Sequence, residues 1–215
     1  MVQVLTFLKG LFSEKQREII RYWLYSIPAF FYRNNLTKLA KLYGTDKYEH
    51  GYTSIYQDYF HEKRKQKLRI LEIGIGGGEN TKYGGNSLKM WAKFFPKSKI
   101  LGIDIYDKSL LDYRQIKTYK GNQSDEKFLA QFENLDIIID DGSHVNSDII
   151  KSFETLFPRL NVGGYYCVED TQVSGLPEFT QASHPDALSY FKHLKLDNAQ
   201  LYFYAGLIII HKEAL

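Results

Sequence analysis

The sequence contains very little cysteine and no long apolar run. Cys167 is its one cysteine, so the chain cannot form an internal disulfide. It lies within the apolar stretch YYCV, and we interpret it as a buried, unreactive thiol. No uninterrupted apolar run reaches the roughly 18 residues that a membrane-spanning helix needs, and we find no secretory signal with a small-residue cleavage site. We therefore expect a cytoplasmic protein.

A large excess of one charge sign is also lacking. The 215 residues include 28 lysines and arginines and 25 aspartates and glutamates, and this net charge of +3 does not call for a nucleic-acid partner. We interpret the basic run HEKRKQKLR, residues 61–69, as a solvated linker. With 44% hydrophobic and 25% charged residues, the composition is that of one globular domain with a short appendage.

Residues 1–60 are predicted to form a helical segment that precedes the main domain, residues 61–215. The aromatic-rich stretch EIIRYWLYSIPAFFYRNNLTKLAKLYG predicts a helix that breaks near Pro28 and a second helix that ends at Gly44. Its apolar stripe would cover the main core or form an oligomer contact, and a peripheral membrane contact is the alternative. We expect a homo-oligomer.

From Lys67 onward, short apolar runs alternate with amphipathic stretches. The predicted strands are LRILEIG, SKILGID, QIKTYK, LDIIID and GGYYCVE, and helices are expected over residues 87–95, 125–132 and 146–160. Strands that are apolar on both faces and separated by helices indicate a parallel sheet covered on both sides. AQLYFY and LIIIHK predict a terminal antiparallel hairpin. The expected fold is α/β and Rossmann-like, with a mostly parallel seven-stranded sheet.

Ligands of such sheets bind at the carboxyl ends of the strands. The first strand ends in EIGIGGGEN, whose glycines allow a tight turn and a close backbone approach to a ligand. Dehydrogenases and flavoproteins also use such a turn, but the carboxylate of Glu72 suits a ligand with a cationic amino group better than a pyrophosphate. Asp104, at the end of the second strand, is placed to accept hydrogen bonds from ribose hydroxyls.

A loop with the sequence GNQSD follows the third predicted strand. It could contact an adenine ring, and Ser124 could instead, or in addition, be the N-cap of the next helix. The complete set of residues predicted to bind the cofactor is Glu72, Gly74, Gly76, Gly78, Asp104, Asn122, Gln123, Ser124 and Asp140.

Acidic residues follow the fourth and fifth predicted strands. LDIIIDDGSHV places Asp140, Asp141 and His144 where the fourth strand ends, and GYYCVEDT brings Glu169 and Asp170 to the end of the fifth. Carboxylates so close together repel one another, and the usual compensation is a cation or a retained proton. Oxygen ligands without cysteine favour magnesium, manganese or calcium over zinc. The alternative is that these residues only cap helices or fix a loop.

Several of these segments together resemble class I S-adenosylmethionine-dependent methyltransferases. The form E-x-G-x-G-G-G and the closing hairpin are typical of that family. Residues 39–172, and DDGSH and ED above all, are similar to the metal-dependent sugar O-methyltransferases of antibiotic biosynthesis, of the mycinamicin type more than the novobiocin type. The resemblance implies that S-adenosylmethionine is the methyl donor and that Asp141, Glu169 and Asp170 bind magnesium. It also implies that Asp141 and His144 are catalytic, with His144 as the general base.

The chemistry of methyl transfer to a hydroxyl agrees with this assignment. A sugar hydroxyl is a poor nucleophile near neutral pH, and a divalent cation would lower its pKa. The remaining proton would pass to a base such as His144. The acceptor stays open among a macrolide sugar, a cell-surface glycan, a nucleotide sugar and another polyol, because the chain differs from the antibiotic enzymes before residue 60 and between Gln172 and Ala199.

Two other functions are considered. One is a different metal-dependent enzyme on the same scaffold, such as a hydroxylase-like relative with a site of two histidines and one carboxylate; the other is a non-catalytic S-adenosylmethionine-binding protein. Asp46, Lys47, Tyr52 and Tyr56 would close over the site or serve in packing. We interpret His50 and His61 as surface residues and assign no role to His184 and His193.

Overall fold

The computed structural model describes residues 11–80, 84–180 and 185–215. The helices are α1 (Glu14–Tyr32), α2 (Leu36–Tyr43), α3 (Tyr52–Phe60), α4 (Asn86–Phe94), α5 (Glu126–Leu129), α6 (Asn146–Leu156) and α7 (Ala187–His193). The strands are β1 (Arg69–Ile73), β2 (Lys99–Asp104), β3 (Ile116–Lys120), β4 (Leu135–Asp140), β5 (Leu160–Glu169), β6 (Ala199–Tyr204) and β7 (Leu207–Lys212). Short 3₁₀ turns lie at Asp46–Tyr48, Ser109–Leu111, Phe157–Arg159, Thr171–Val173 and Pro177–Phe179.

The described strands form one sheet in the order β3-β2-β1-β4-β5-β7-β6. Strands β1 to β5 pair in parallel, and β7 pairs antiparallel with both β5 and β6. Alternate residues of a strand point to opposite faces. Thus Ile70 and Ile100 belong to a core with α1 to α4, whereas Leu71 and Leu101 belong to a second core with α5 to α7. The predicted fold class, including the closing hairpin, is confirmed.

The N-terminal helices pack directly on one face of the sheet. Helix α1 begins with a capping box at Ser13 and continues through Pro28, so the predicted break there is wrong. The proline ring removes the hydrogen bond that the carbonyl of Leu24 would accept, and water can replace it because Leu24 is 40% exposed. Helix α2 ends at Gly44, which has a φ of +72°, as predicted. The domain division at residue 60 stays a prediction.

Two predicted helices differ in their ends. Helix α6 stops at Leu156 instead of residue 160, because Pro158 has no N–H to donate to the Glu154 carbonyl and the chain passes through a 3₁₀ turn into β5. Helix α5 is a single turn, and its N-cap is Asp125, whose side chain accepts a hydrogen bond from the Phe128 N–H. Ser124 is therefore not the N-cap. Within the described ranges, each helix is too short or too polar to cross a membrane.

Candidate active site

The carboxyl ends of β1, β2, β4 and β5 border a cavity of about 970 Å³. The predicted site residues in its wall are Gly74, Gly76, Gly78, Asp104, Asn122, Gln123, Asp141, His144 and Asp170. Four other predicted residues lie behind the wall, namely Glu72, Ser124, Asp140 and Glu169. The structure thus brings both predicted groups, the nucleotide-binding and the acidic residues, to the same cavity.

The glycine-rich turn forms one end of this cavity. Gly74 has a φ of +76°, and a Cβ atom there would lie 2.0 Å from the Asp141 carbonyl oxygen. At Gly84, a Cβ atom would lie 2.1 Å from the Gly76 carbonyl oxygen. Because both contacts are with backbone, neither can be relieved by moving a side chain. Glycine is therefore required at Gly74, where the turn passes the end of β4, and at Gly84, where the chain passes the Gly76 carbonyl.

Asp104 and the loop after β3 form the neighbouring wall. Asp104 Oδ1 accepts a hydrogen bond of 2.9 Å from the Tyr106 N–H, which fixes the carboxylate at the end of β2. Asn122 Oδ1 accepts hydrogen bonds of 2.9 Å from both the backbone N–H and the hydroxyl of Ser124. Ser124 therefore shapes the loop that carries Asn122, and it does not itself line the cavity.

Gln123 joins this loop to the end of β4. Its Oε1 accepts a 2.7 Å hydrogen bond from the Ser143 N–H, and its Nε2 donates to Asp140 Oδ1 at 3.1 Å. Asp140 is 1% exposed, and Tyr166 donates a hydrogen bond to its other oxygen at 3.1 Å. Burial raises the pKa of Asp140 to about 7, although both hydrogen bonds act in the opposite direction. Asp140 thus supports, through Gln123, the loop that carries Ser143, and it does not line the cavity.

Asp141, His144 and Asp170 form a cluster at the acidic end of the cavity. Each residue offers one ligand atom, and these atoms lie within 4.8 Å of one another. His144 Nε2 is 3.6 Å from Asp170 Oδ2. The backbone N–H of Asp141 donates to the Ile73 carbonyl at 3.0 Å, which ties the cluster to the end of β1. The two carboxylates with this spacing can hold a divalent cation, and the imidazole lies beside them.

Two members of the cluster have left-handed backbone. The φ angles are +59° at His144 and +56° at Asp170, and neither residue is a glycine. Such a conformation costs on the order of 1 kcal/mol for a non-glycine residue. Unusual backbone at two of three clustered polar residues is typical of functional sites.

Asp170 is held by several donors through one oxygen. Its Oδ1 accepts hydrogen bonds from the Tyr52 hydroxyl at 2.8 Å and from Gln172 Nε2 at 3.2 Å, and His50 Nδ1 lies 3.1 Å away. Burial favours the neutral acid, but these hydrogen bonds and the nearby histidines outweigh it and keep the pKa of Asp170 below its ordinary value. Asp170 is accordingly an ionised carboxylate near neutral pH.

Glu169 lies in a different environment, with Lys47. The Lys47 ammonium is 2.6 Å from Glu169 Oε2, 2.7 Å from Asp141 Oδ2 and 3.1 Å from Glu72 Oε1, and its side chain is 1% exposed. The Tyr56 hydroxyl donates to the second oxygen of Glu169 at 2.7 Å. The structure therefore places the predicted metal ligand Glu169 and the predicted cofactor-binding Glu72 around a buried lysine.

One ammonium cannot neutralise three carboxylates. Burial raises the pKa of Glu169 to about 8 and also raises that of Glu72, against the effect of Lys47. Burial disfavours the charged ammonium, yet the surrounding carboxylates raise the pKa of Lys47 well above its ordinary value. The excess of acidic groups over Lys47 therefore favours retained protons on Glu169 and Glu72, or a further cation beside them.

Lys47 is the residue whose role the sequence did not indicate. Its partners Asp141 and Glu169 are 94 and 122 residues away along the chain, so no local pattern reveals the contact. Tyr52 and Tyr56, predicted to pack or to close over the site, donate to the acidic residues, and His50 is a half-exposed partner of Asp170. His61 and His193 contact Gln57 and the Ser189 carbonyl, and His184 lies outside the described residues.

Comparison with known proteins identifies relatives of this chain. No protein-family model matches the sequence. It is 40% identical over 161 residues to mycinamicin VI 2''-O-methyltransferase from Micromonospora griseorubida, and 39% identical over 165 residues to 8-demethyl-8-alpha-L-rhamnosyl tetracenomycin-C 2'-O-methyltransferase from Streptomyces olivaceus. The chain is a homologue of the antibiotic sugar O-methyltransferases. The two matches cover 72% and 74% of this chain but only 40% and 44% of the two relatives. The chain therefore spans less than half of their length.

Solved structures agree with this relationship. This chain matches the MycE methyltransferase of the mycinamycin biosynthetic pathway with a TM-score of 0.78 and 36% identity, over 83% of this chain and 54% of MycE. That MycE structure contains Mg, SAH and mycinamycin VI. An SAH-bound methyltransferase from Podospora anserina shares the fold alone, with a TM-score of 0.54 and 16% identity over 75% of this chain and 79% of that protein. The fold is the class I methyltransferase fold.

Proposed function

We propose that the protein is a magnesium-dependent O-methyltransferase that moves a methyl group from S-adenosylmethionine to a hydroxyl of a sugar or of a glycosylated natural product. The observation that carries this proposal is the convergence of Asp141, His144 and Asp170 on the cavity that the glycine-rich turn and Asp104 also border. A donor site and a cation site in one cavity are what such a reaction requires.

We propose that the donor occupies the glycine end of the cavity. Asp104 would accept hydrogen bonds from its ribose hydroxyls, and Asn122 and Gln123 would face its adenine ring. The backbone turn at Gly74, Gly76 and Gly78 would allow close approach. Three predicted cofactor residues, Glu72, Ser124 and Asp140, would support these contacts from behind the wall.

The residues at the acidic end fit a divalent cation. Asp141 and Asp170 supply carboxylate oxygens, the cluster is partly exposed to the cavity, and the acidic groups behind it outnumber Lys47. Magnesium suits such oxygen ligands, and manganese or calcium would also fit. Glu169 stays a proposed ligand, although both its oxygens accept hydrogen bonds from Lys47 and Tyr56. When bound, the cation would lower the pKa of the acceptor hydroxyl.

His144 is the proposed general base. It lines the cavity beside Asp141 and lies close to the Asp170 carboxylate, which would orient the imidazole and stabilise the imidazolium after proton uptake. Asp141 would act with it by holding the cation. The sulfonium of S-adenosylmethionine already activates the methyl group that it carries, so the transfer needs no covalent enzyme intermediate.

The proposal extends to assembly and location. Helix α1 exposes an apolar face that includes Trp23, Ile27, Phe30 and Phe31. We propose that residues 1–60 act as a cover for one face of the sheet and, through this face, as a homo-oligomer contact; peripheral membrane contact is the competing interpretation. A nucleic-acid partner is not proposed, and the cytoplasmic location stays a prediction.

Calorimetric titration of the purified chain tests donor binding, and a methyl-transfer assay tests turnover. S-adenosylmethionine and S-adenosylhomocysteine should bind both with magnesium and with chelator. Glycoside acceptors should be methylated only with magnesium. Asp141→Asn should remove metal-dependent turnover while donor binding persists, because the proposed donor contacts lie at the other end of the cavity.

The control is Asp197→Asn, since Asp197 is an exposed loop residue far along the chain from the cluster. It should behave as the unchanged protein does. Absence of donor binding in every condition would contradict the methyltransferase assignment, and full turnover of Asp141→Asn would remove Asp141 from the proposed ligands.

A further inference from the structure

Lys47 lies where the N-terminal segment meets the acidic residues. It comes from the 3₁₀ turn Asp46–Tyr48, which follows α2, and reaches the ends of β1, β4 and β5 through Glu72, Asp141 and Glu169. An ammonium group has three N–H donors, and here three carboxylates surround it within 3.1 Å. A buried lysine with this many acidic partners is a built arrangement rather than a solvated surface contact.

The two cluster carboxylates are held in the same way. Asp141 accepts from Lys47 through Oδ2, and Asp170 accepts from Tyr52 and Gln172 through Oδ1. Among the described residues, no hydrogen-bond donor reaches the other oxygen of either carboxylate, although His144 lies 3.6 Å from the free oxygen of Asp170. Each side chain is therefore fixed by one oxygen and keeps the second for a ligand.

Lys47 does not take the place of the cluster's own cation. Its ion-pair partners among the described residues are Glu72, Asp141 and Glu169, and Asp170 is not one of them. The ammonium therefore contacts the cluster through Asp141. We propose that Lys47 is a positioning residue, which orients Asp141 for the divalent cation by holding Oδ2. This inference rests on the proposed function, and it makes the N-terminal segment part of the cation site.

The test uses Mn²⁺ as the probe and the full-length chain carrying Lys47→Met, which keeps most of the side-chain volume and removes the charge. Mn²⁺ binding is measured by electron paramagnetic resonance, and S-adenosylhomocysteine binding by calorimetry, at a temperature where the variant is folded. We expect the Mn²⁺ dissociation constant to rise by about tenfold or more, as is usual when a group that orients a metal ligand is lost. S-adenosylhomocysteine affinity should change by less than about threefold, which separates positioning from a general loss of structure.

Lys212→Met is the matched control. Lys212 also donates three hydrogen bonds, to the carbonyls of Phe157, Pro158 and Leu160, but at the opposite end of the sheet. This variant should retain the Mn²⁺ affinity of the unchanged chain. If Lys47→Met does not fold, Lys47→Gln, which keeps a polar side chain without the charge, replaces it, with an expected loss in the same direction.

The other outcomes overturn the inference in distinguishable ways. Unchanged Mn²⁺ affinity in a folded Lys47→Met variant would reduce Lys47 to a structural ion pair, and tighter binding would make it a competitor of the cation. Either result leaves the proposed function intact. Failure of the unchanged chain to bind Mn²⁺ would instead overturn the proposed cation site, and the inference with it.

Discussion

At the scale of single residues, the acidic groups separate into those that face the cavity and those that do not. Asp140 and Asp141 are neighbours, yet Asp140 points into the protein against Tyr166, whereas Asp141 lines the cavity. Successive residues at a strand end point to opposite faces, so the sequence DD delivers one buried acid and one accessible acid. The buried acid has a consequence for stability that pH reveals.

Asp140 should make the folded protein less stable as the pH rises from about 4 to 7. Burial raises its folded-state pKa to about 7, from an ordinary value of 3.8. Within this window the folded chain still binds a proton that the unfolded chain has released, so the stabilisation is complete at low pH and is lost as the pH passes 7. Asp140→Asn cannot ionise and should gain stability relative to the unchanged protein across the window, by up to about 4 kcal/mol at roughly 1.4 kcal/mol per pKa unit.

Urea unfolding of both proteins at several pH values, with chelator present, measures this difference. The exposed pair Asp197 and Asp197→Asn serves as the control and should show no such trend. Parallel stability curves for Asp140→Asn and the unchanged protein would show that Asp140 does not retain its proton in the folded state.

The residues of the site were predictable to different degrees. Asp141, His144 and Asp170 follow strands that the sequence marks clearly, and parallel strands bring their ends together at one edge. Glu169 follows the same logic, but its side chain turns to Lys47, a partner from a separate segment. Local sequence patterns predict where the strands end. Whether Glu169 or its neighbour Asp170 faces the cavity depends on contacts with other segments, such as that of Glu169 with Lys47, and no pattern within one segment predicts these contacts.

At the scale of elements, the turn after β1 should be the least tolerant of added side-chain atoms. In Gly74→Ala the new methyl group would lie 2.0 Å from the Asp141 carbonyl, and the φ of +76° disfavours alanine. We expect the free energy of unfolding to fall by about 3 kcal/mol or more, from overpacking and left-handed backbone together. Because β1 and β4 would separate at Asp141, Mn²⁺ binding should weaken as well.

Gly175→Ala is the control for this substitution. A Cβ atom at Gly175 meets no atom within 4 Å and needs no positive φ, so the change should stay within about 0.5 kcal/mol. Denaturant unfolding of both variants provides the measurement. Equal stability of Gly74→Ala and the unchanged chain would mean that the close approach of the two strands is not required.

Helices and strands were predicted best where burial imposes a clear pattern of apolar residues on the sequence. The strands and the closing hairpin agree with the apolar runs, because both faces of the sheet are covered. The continuous helix through Pro28 was not predicted, since a proline ordinarily ends a helix and here the loss of one hydrogen bond is tolerated on a partly exposed turn.

At the scale of the whole molecule, helix α1 exposes an apolar face among the described residues. Ile20, Trp23, Leu24, Ser26, Ile27, Phe30 and Phe31 line a groove of about 820 Å³. Ile27 is 72% exposed and Phe31 is 77% exposed. A contiguous apolar surface of this kind marks an interaction site, and association with a second copy would cover it.

Replacing Ile27 and Phe31 by glutamine should therefore lower the mass of the particle in solution. We expect the unchanged chain to be an oligomer at micromolar concentration, and the double variant to shift to the monomer without loss of donor binding, because neither side chain lines the active-site cavity. Size-exclusion chromatography with light scattering measures the mass. The control is Val162→Gln, which removes another exposed apolar side chain, near the end of β5 that is farther from the cavity. A monomeric unchanged chain that floats with anionic vesicles would favour membrane contact instead, and an oligomer that the double substitution leaves intact would place the interface elsewhere.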